Sequence, residues 1–392
     1  MTIPSWVDPE TISRGQTVFW KNAPACGMAL MYLSLVGGFG APRINKVLIS
    51  TGYLGNNQTA KRLLETSQMI FDCMLPDSLR PGLGVGWRSC LKVRFLHARV
   101  RQRLRNSEKW NQEAWGVPIN QEDLIATQTS FSFNIILALG IMGVRLSEQE
   151  AEDFLHLWRY IGYLSGVKEE LNPLTDFTST RTISESLILH LIDPDESSVF
   201  LAHHNIESLM DSRFLFRHSL AGHYQLARML MGDGMADKLK LPSSAFEHAK
   251  NYVLFFLLFR YMSFTASLPI IGPMQVEVNK SFMLHVITQG LKGTADFEMT
   301  RWSPPLTILS SPFNPLPPFR PSASLLDVPS SESIDNLDAL RLQKGTARLT
   351  SLQRKIPAAP LILLLLALVL IFQKLARNGI GRLLASRRRQ LA

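Results

Sequence analysis

The sequence is poor in cysteine and lacks the short motifs of several enzyme classes. Its three cysteines, Cys26, Cys73 and Cys90, lie far apart and form no CxxC pair, which argues against both a disulfide framework and a cysteine-rich metal site. There is no GxxxxGK or GxGxxG loop, no GxSxG elbow and no HExxH pair, so neither a nucleotide cofactor, nor a serine nucleophile, nor a zinc site is indicated. The cysteines are interpreted most simply as those of a reducing, cytosol-facing body.

Acidic residues are absent from the C-terminal end of the chain, and this explains most of its formal charge of +9. From Arg354 onward the sequence has eight basic residues and no acidic ones, which leaves a body of about +1. Since the excess positive charge belongs to the tail rather than to the folded part, no nucleic-acid partner is expected.

The tail also contains the longest uncharged run of the chain. Ile356 to Phe372 gives 17 residues without a charge, about 25 Å of helix at 1.5 Å per residue, which is enough for a thin bilayer. We interpret it as a single-pass membrane anchor followed by a basic tail, residues 373–392. The N-terminus has no basic segment leading into an apolar run, so the body is expected in the cytosol. A span of this length suits a thin bilayer such as that of the endoplasmic reticulum, and a short span with a strongly basic tail also suits the mitochondrial outer membrane.

Alternating strand patterns are nearly absent, and the remaining sequence predicts an all-α protein. We divide it into an N-terminal arm (1–20), one large helical domain (21–300) and a Pro/Ser-rich linker (301–355). Within the domain, Ala25 to Gly40 is predicted to be a buried helix with a glycine-rich exit. Further predicted helices begin at Thr59, at Asn120 and after Ser147, where Glu150 completes a capping-box pattern. The other predicted helices are Ile183 to Ile192, Val199 to Met210, Ser219 to Met231 and Ala245 to Ala266.

The most informative stretch is Trp87 to Leu104, in which one histidine lies on an apolar helical stripe. The stripe consists of Cys90, Val93, His97, Val100 and Leu104 at helical spacing, and Arg94 and Arg101 flank it. A neutral imidazole in an apolar wall can be the axial ligand of haem iron. It can equally be a hydrogen-bonded core histidine, and spacing alone does not decide between the two.

Four stretches, in order along the chain, resemble the rubber oxygenase (latex-clearing protein) and MpaB-type ER-bound oxygenase family. The His97 stretch, residues 92–101, resembles the haem-binding helix of that family, and Arg62 to Thr66 resembles its distal-side helix. Asn120 to Phe133 and Trp158 to Val167 resemble the next two helices. Together these matches span roughly residues 20 to 245.

The resemblance implies a globin-like helical core that binds haem b and cleaves a C=C bond in an isoprenoid or other lipophilic substrate with O2. It makes His97 the iron ligand and Arg62, Glu65 and Thr66 the catalytic residues, while Arg94 and Arg101 are candidates for the haem propionates. The family has Arg-x-x-Lys-Thr on the distal helix, and here Glu65 replaces the lysine. Glu65 is therefore either a proton acceptor or a surface residue paired with a neighbour. Because the lysine is missing, a non-catalytic, membrane-anchored lipid-binding or scaffold protein of the same fold remains the alternative.

Overall fold

The computed structural model describes residues 3–51, 59–108, 110–209 and 219–291. The chain divides into two units after Arg301, and every described residue belongs to the first. The predicted linker, membrane anchor and basic tail lie outside the described residues and remain predictions.

The described part of the chain is helical throughout and contains no strand, which confirms the all-α class. Between the α-helices lie π-helical segments at Ala29–Gly37 and Tyr252–Phe256 and a 3-10 turn at Glu169–Leu171. The α-helices are α1 (Pro9–Lys21), α2 (Ala23–Met28), α3 (Pro42–Ser50), α4 (Thr59–Met74), α5 (Val85–Arg105), α6 (Gln112–Trp115), α7 (Gln121–Phe131), α8 (Phe133–Ile141), α9 (Glu148–Ser165), α10 (Phe177–Leu191), α11 (Glu196–Ser208), α12 (Leu220–Met231), α13 (Asp233–Lys238), α14 (Ala245–Asn251), α15 (Leu257–Ala266) and α16 (Ile271–Leu291).

Two helix starts follow directly from local side-chain chemistry. Asn120 precedes α7, where its side chain accepts from the amide of Asp123 and its own amide donates to the Asp123 carboxylate. Ser147 and Glu150 make the same reciprocal pair at the start of α9. Each pair satisfies amides that the first turn of a helix leaves without an intrahelical acceptor. At its other end α9 stops at Gly166, whose φ of 107° suits glycine.

Two predicted helices differ in detail from the structure. The apolar face that begins at Asn120 predicts one helix as far as Met142, but the backbone breaks at Ser132 (φ −120°, ψ −75°) and separates α7 from α8. Ser132 is fully buried, and its hydroxyl donates to the carbonyl of Gln128. The segment from Ala25 to Gly40 is helical and buried or half-buried as predicted, although much of it is π-helix rather than α-helix.

The N-terminal residues belong to the helical body, so the prediction of an arm over residues 1–20 is wrong from Pro9 onward. On α1, Phe19 and Trp20 are buried, and the helix packs along α9. The guanidinium of Arg14 donates to both carboxylate oxygens of Asp153, at 2.7 and 2.9 Å. Gly15 permits the close approach, because a Cβ there would lie 2.5 Å from the Asp153 carbonyl oxygen.

The helix α9 lies in the middle of the core and contacts α1, α5 and α7. Its hydrophobic side chains are buried on several sides, which is why no single narrow stripe describes it. The buried ones are Ala151, Phe154, Leu155, Leu157, Trp158, Tyr160, Ile161 and Leu164. Since α5 packs on this helix, the core fixes the position of the His97 helix.

Among the described residues, Gln121–Ile141 is long and apolar enough to cross a membrane. Ala23–Gly37 together with Pro42–Ser50 would count as a second span if its 96° bend were ignored. Length and composition do not distinguish a membrane span from the core helix of a soluble protein, which passes the same test. The first stretch packs on α9 and α10 and the second on α8 and α12.

Candidate active site

The candidate site lies along α4 and α5, two consecutive helices that touch closely where Cys73 faces Cys90. The Sγ atoms of Cys73 and Cys90 are 3.4 Å apart, and the hydroxyl of Ser89 donates to Asp72 at 2.7 Å. Gly86 allows this approach, since a Cβ there would lie 2.7 Å from the Cα of Cys73. These contacts fix the register of the two helices.

Each of these two helices carries one of the family-like stretches beyond the cysteine contact. Thr66 precedes Cys73 by seven residues, and His97 follows Cys90 by seven. Arg62 and Arg101 are related in the same way at eleven residues. The predicted distal residues and the predicted ligand therefore lie about two to three helical turns from the contact, each on its own helix.

The packing between α4 and α5 is complete at the cysteine end and incomplete at the histidine end. Cys73 and Cys90 are fully buried, whereas Thr66, Val93 and His97 are only half-buried although they continue the same stripes. Protein interiors are normally close-packed. The section around His97 is thus less tightly packed than the section around the cysteines.

His97 differs from a hydrogen-bonded core histidine. Its Nδ1 atom is buried and has no hydrogen-bond partner among the described residues. Burial, and secondarily the positive charge of Arg101, lower the pKa of His97 from its usual 6.5 to about 4. The imidazole is therefore neutral at physiological pH, which is the form that binds iron. Because the porphyrin supplies the other ligands of haem iron, one histidine is enough to hold it.

On α4, Glu65 is paired with a neighbour but is buried rather than on the surface. Its role as a proton acceptor remains a prediction. Nη1 of Arg62 lies 2.8 Å from Oε2 of Glu65, and Nζ of Lys61 lies 3.8 Å from Oε1. Thr66 donates its hydroxyl to the carbonyl of Arg62 at 3.0 Å. The carboxylate that replaces the family's lysine is held by the two basic residues before it on the same helix.

The two arginines that flank His97 both contact backbone carbonyls. Nη1 of Arg94 lies 3.5 Å from the carbonyl oxygen of Tyr163, in the last turn of α9, where positive charge is favourable. Arg101 donates through Nε and Nη2 to the carbonyl of Ile119, at 3.2 and 2.5 Å, and through Nε to that of Pro118. A role toward haem propionates remains a prediction for both residues.

The other two family-like stretches, on α7 and α9, join beside the His97 helix. Gln121, the first residue of α7, donates to the carbonyl of Gly166 and accepts from the amide of Lys168. Further along, Gln128 donates to the carbonyl of Trp158 at 2.9 Å. A Cβ on Gly162 would lie 2.2 Å from Nε2 of Gln128, so this crossing needs glycine. All four stretches thus lie on helices in mutual contact, α4 with α5, α5 with α9 and α9 with α7.

Two features near or within this core have no signal in the sequence. Ile119, which accepts the Arg101 bonds, has a φ of +54°, a strained conformation for a β-branched residue. In the core, the hydroxyl of Tyr32 lies 2.6 Å from Nδ1 of His223. The partners in this second pair are 191 residues apart in the chain, so no local pattern could have connected them.

Comparison with known proteins agrees with the fold and with the sequence resemblance. The model of the family described as ER-bound oxygenase mpaB/B'/rubber oxygenase, catalytic domain, matches residues 20–265. The chain belongs to this family. The match includes α4, α5, α7 and α9, the four helices on which the resemblance was recognised.

Individual members of the oxygenase family are similar to this chain over part of its length. The rubber oxygenase of Streptomyces sp. (strain K30) is 28% identical over 182 residues, which are 44% of this chain and 42% of that protein. The match therefore spans about two fifths of that curated relative. The solved structure of latex clearing protein in the closed state aligns with a TM-score of 0.59 and 20% identity, covering 73% of this chain and 76% of that one. At this identity the structural likeness concerns the fold.

The lowered pKa of His97 predicts how the stability of the haem-free chain depends on pH. The unfolded imidazole titrates near its usual 6.5 and the folded one near 4, so the unfolded state binds more protons between these values. The free energy of unfolding should therefore fall as the pH falls through this window. His223 shifts in the same direction, also to about 4. Urea unfolding across this pH window should show a smaller decrease in the free energy of unfolding for His97→Gln than for the wild type. An identical decrease would contradict a buried, neutral His97.

Proposed function

We propose that this chain is a haem b-dependent oxygenase in which His97 is the axial ligand of the iron. The observation that carries the proposal is the buried Nδ1 atom of His97, which has no hydrogen-bond partner among the described residues and belongs to a neutral imidazole. It lies on the half-buried section of α5. Family membership supplies the oxygenase class.

In this proposal the residues of the chain hold the haem and orient the reacting molecules, and the haem supplies the activation of O2 when bound. His97 would hold the haem iron from its position on α5. Arg101 is anchored to the loop before α7 through Nε and Nη2, and a guanidinium in this fixed position can still direct a further donor toward a propionate. Arg94, which lies on α5 and contacts the carbonyl of Tyr163 at the end of α9, is proposed to do the same.

The distal side is assigned to Arg62, Glu65 and Thr66. Arg62 pairs with Glu65, which keeps the carboxylate oriented and gives this side both a hydrogen-bond donor and a proton acceptor. Thr66 carries a hydroxyl on the same helix, where it donates to the carbonyl of Arg62. Such groups bind and position a reacting molecule and exchange a proton with it.

The proposed substrate is a lipophilic molecule with a C=C bond, such as an isoprenoid chain, which O2 cleaves. The relatives are named for rubber and latex, which are substrates of that chemical kind.

The first test is the absorption spectrum of the purified chain. A Soret band, and a pyridine haemochrome spectrum of the b type, are expected at about one haem per chain. A chain that remains free of haem when haem is offered would instead favour the second candidate, a lipid-binding or scaffold protein of the same fold. This second candidate is retained because Glu65, which is paired with Arg62, stands at the position of the family's lysine.

We further propose that Ile356 to Phe372 anchors the protein in a membrane, with the endoplasmic reticulum favoured over the mitochondrial outer membrane and the body in the cytosol. The compact helical unit ends before this segment. A chain deleted from Ile356 onward should therefore keep its haem and appear in the supernatant after carbonate washing, while the full chain stays in the pellet. A truncated chain that remained in the carbonate-washed pellet would show that this segment is not the sole anchor.

A further inference from the structure

The helical hairpin formed by α15 and α16 carries an exposed apolar tip where the two helices join. We call residues 264–274 the hairpin tip. Its exposed side chains are almost all hydrophobic, and the fractional exposure reaches 63% at Phe264 and 79% at Ile270. The others are Pro269, Ile271, Pro273 and Met274, with Ser267 as the polar exception. Soluble proteins seldom expose a contiguous apolar patch of this kind unless it binds something.

Charged residues are absent from the hairpin tip and from its immediate surroundings. The sequence contains 16 uncharged residues between Arg260 and Glu277. Arg260 is exposed one turn before Phe264, and Glu277 pairs with Lys280 on α16. The charges thus begin at the base of the hairpin, on both helices, and leave the tip neutral.

The polar groups of the hairpin tip are largely satisfied within the hairpin. The amides of Ser267, Leu268 and Gly272 donate to carbonyls of the same segment, at 3.1, 3.2 and 2.8 Å. Pro269 and Pro273 have no amide hydrogen to satisfy. The hydroxyl of Ser267, the one exposed polar side chain, donates to the carbonyl of Phe264. This tip can lose water at little cost, which is the condition for entering a lipid phase.

The two helices of the hairpin are held together and attached to the body, so that the tip is a fixed feature. Thr265 donates to Oε1 of Gln275, whose amide donates to the carbonyl of Met262, at 2.6 and 2.9 Å. On α16, the side-chain amide of Asn279 donates to the carbonyl of Trp20 in α1, which attaches the hairpin to the body. The close turn also needs Gly272, where a Cβ would lie 2.3 Å from the Ala266 carbonyl.

Three partners can be considered for the hairpin tip: a protein, the chain's own C-terminal region and a lipid bilayer. The bilayer fits best. A protein partner, including a second copy of this chain, normally adds about one hydrogen bond for every 100–200 Å² of interface, and the tip offers almost no unsatisfied group for one. The chain's own C-terminal region, 101 residues after Leu291, is long enough to span the about 30 Å from the end of this helix back to the tip, and the lipid-quenching measurement below distinguishes it from a bilayer. A bilayer requires no hydrogen bonds and attracts a basic residue at its surface, as Arg260 would provide.

We propose that the hairpin tip inserts into the surface of a lipid bilayer, with Arg260 at the level of the phosphate groups. It is a second membrane contact, separate from the predicted anchor at Ile356 to Phe372, and it holds the helical body in a defined orientation on the membrane. The inference does not depend on the proposed oxygenase activity, because it rests on the surface of α15 and α16 alone.

The test uses the full chain reconstituted in phosphatidylcholine vesicles with and without phosphatidylserine. An environment-sensitive fluorophore is attached through Ile270→Cys, with Met274→Cys as a second tip position, and the native cysteines do not compete because all three are buried. The matched control is Leu189→Cys, an equally exposed apolar residue, 81% exposed, on α10. Spin-labelled lipids with the label in the acyl chain report direct contact with the membrane interior.

Both tip probes should emit at shorter wavelength than the Leu189→Cys probe and lose most of their fluorescence to the acyl-chain spin labels, while the control loses little. Quenching of the tip probes by aqueous iodide instead would overturn the proposal. So would blue-shifted emission without lipid quenching, which would identify the chain's own C-terminal region as the cover. Self-quenching that disappears on dilution with unlabelled chain would identify a second copy and would equally contradict insertion.

Discussion

Replacing His97 with alanine should abolish the Soret band of the purified chain while the far-ultraviolet circular dichroism of a helical protein is retained. The ligand bond is lost, but alanine is a good helix former, and α5 stays attached through the Cys73–Cys90 contact. Haem content by pyridine haemochrome, compared with the wild type at equal protein concentration, measures the effect. The loss should be nearly complete, because no other residue of the proposal bonds to the iron.

The control for this experiment is His190→Ala, which removes an exposed histidine from the last turn of α10. It should bind haem like the wild type. A His97→Ala chain that purifies with full haem content would make the ligand assignment wrong and would return His97 to the role of a core histidine.

The second large effect is expected on the distal side. Arg62→Ala and Thr66→Ala should each keep the haem and lose turnover by about 10²-fold or more, the usual contribution of a positioned catalytic group. Consumption of O2 with an isoprenoid substrate measures turnover, and the Soret band confirms haem occupancy in the same sample. Wild-type turnover in both variants would remove these residues from the site.

Two further variants separate the roles of the charged residues on α4. Lys61→Ala removes an exposed cation whose Nζ is 3.8 Å from Glu65, and it should leave turnover nearly unchanged. Glu65→Gln preserves size but removes the carboxylate. A loss of turnover in this variant would identify Glu65 as the proton acceptor, whereas unchanged turnover would reduce it to the ion-pair partner of Arg62.

The α4–α5 pair has a tightly packed part and a looser part. The cysteines, Ser89 and Asp72 are buried in close contact, whereas His97 and Thr66 are only half-buried. We propose that the tightly packed part fixes the register of the two helices and that the looser part binds the haem.

The sequence by itself determined the features that depend on near neighbours along the chain. The capping pairs at Asn120 and Ser147 and the left-handed stop at Gly166 are interactions over a few residues, so they could be predicted with their boundaries. The apolar stripe through Cys90 and His97 depends only on helical periodicity. The family, too, could be recognised from short stretches within single helices, and the match over residues 20–265 confirms it.

Tertiary structure alone decided which of these stretches meet. The break at Ser132 and the burial of α1 follow from packing against helices distant in the chain, which local periodicity does not contain. In the same way, the environment of His97, the attachment of Arg101 to the strained Ile119 and the neutral tip of the α15–α16 hairpin depend on which surfaces the other helices cover. A sequence lists the side chains of each helix face, but burial and pairing are properties of two faces at once, and only the folded chain brings those faces together.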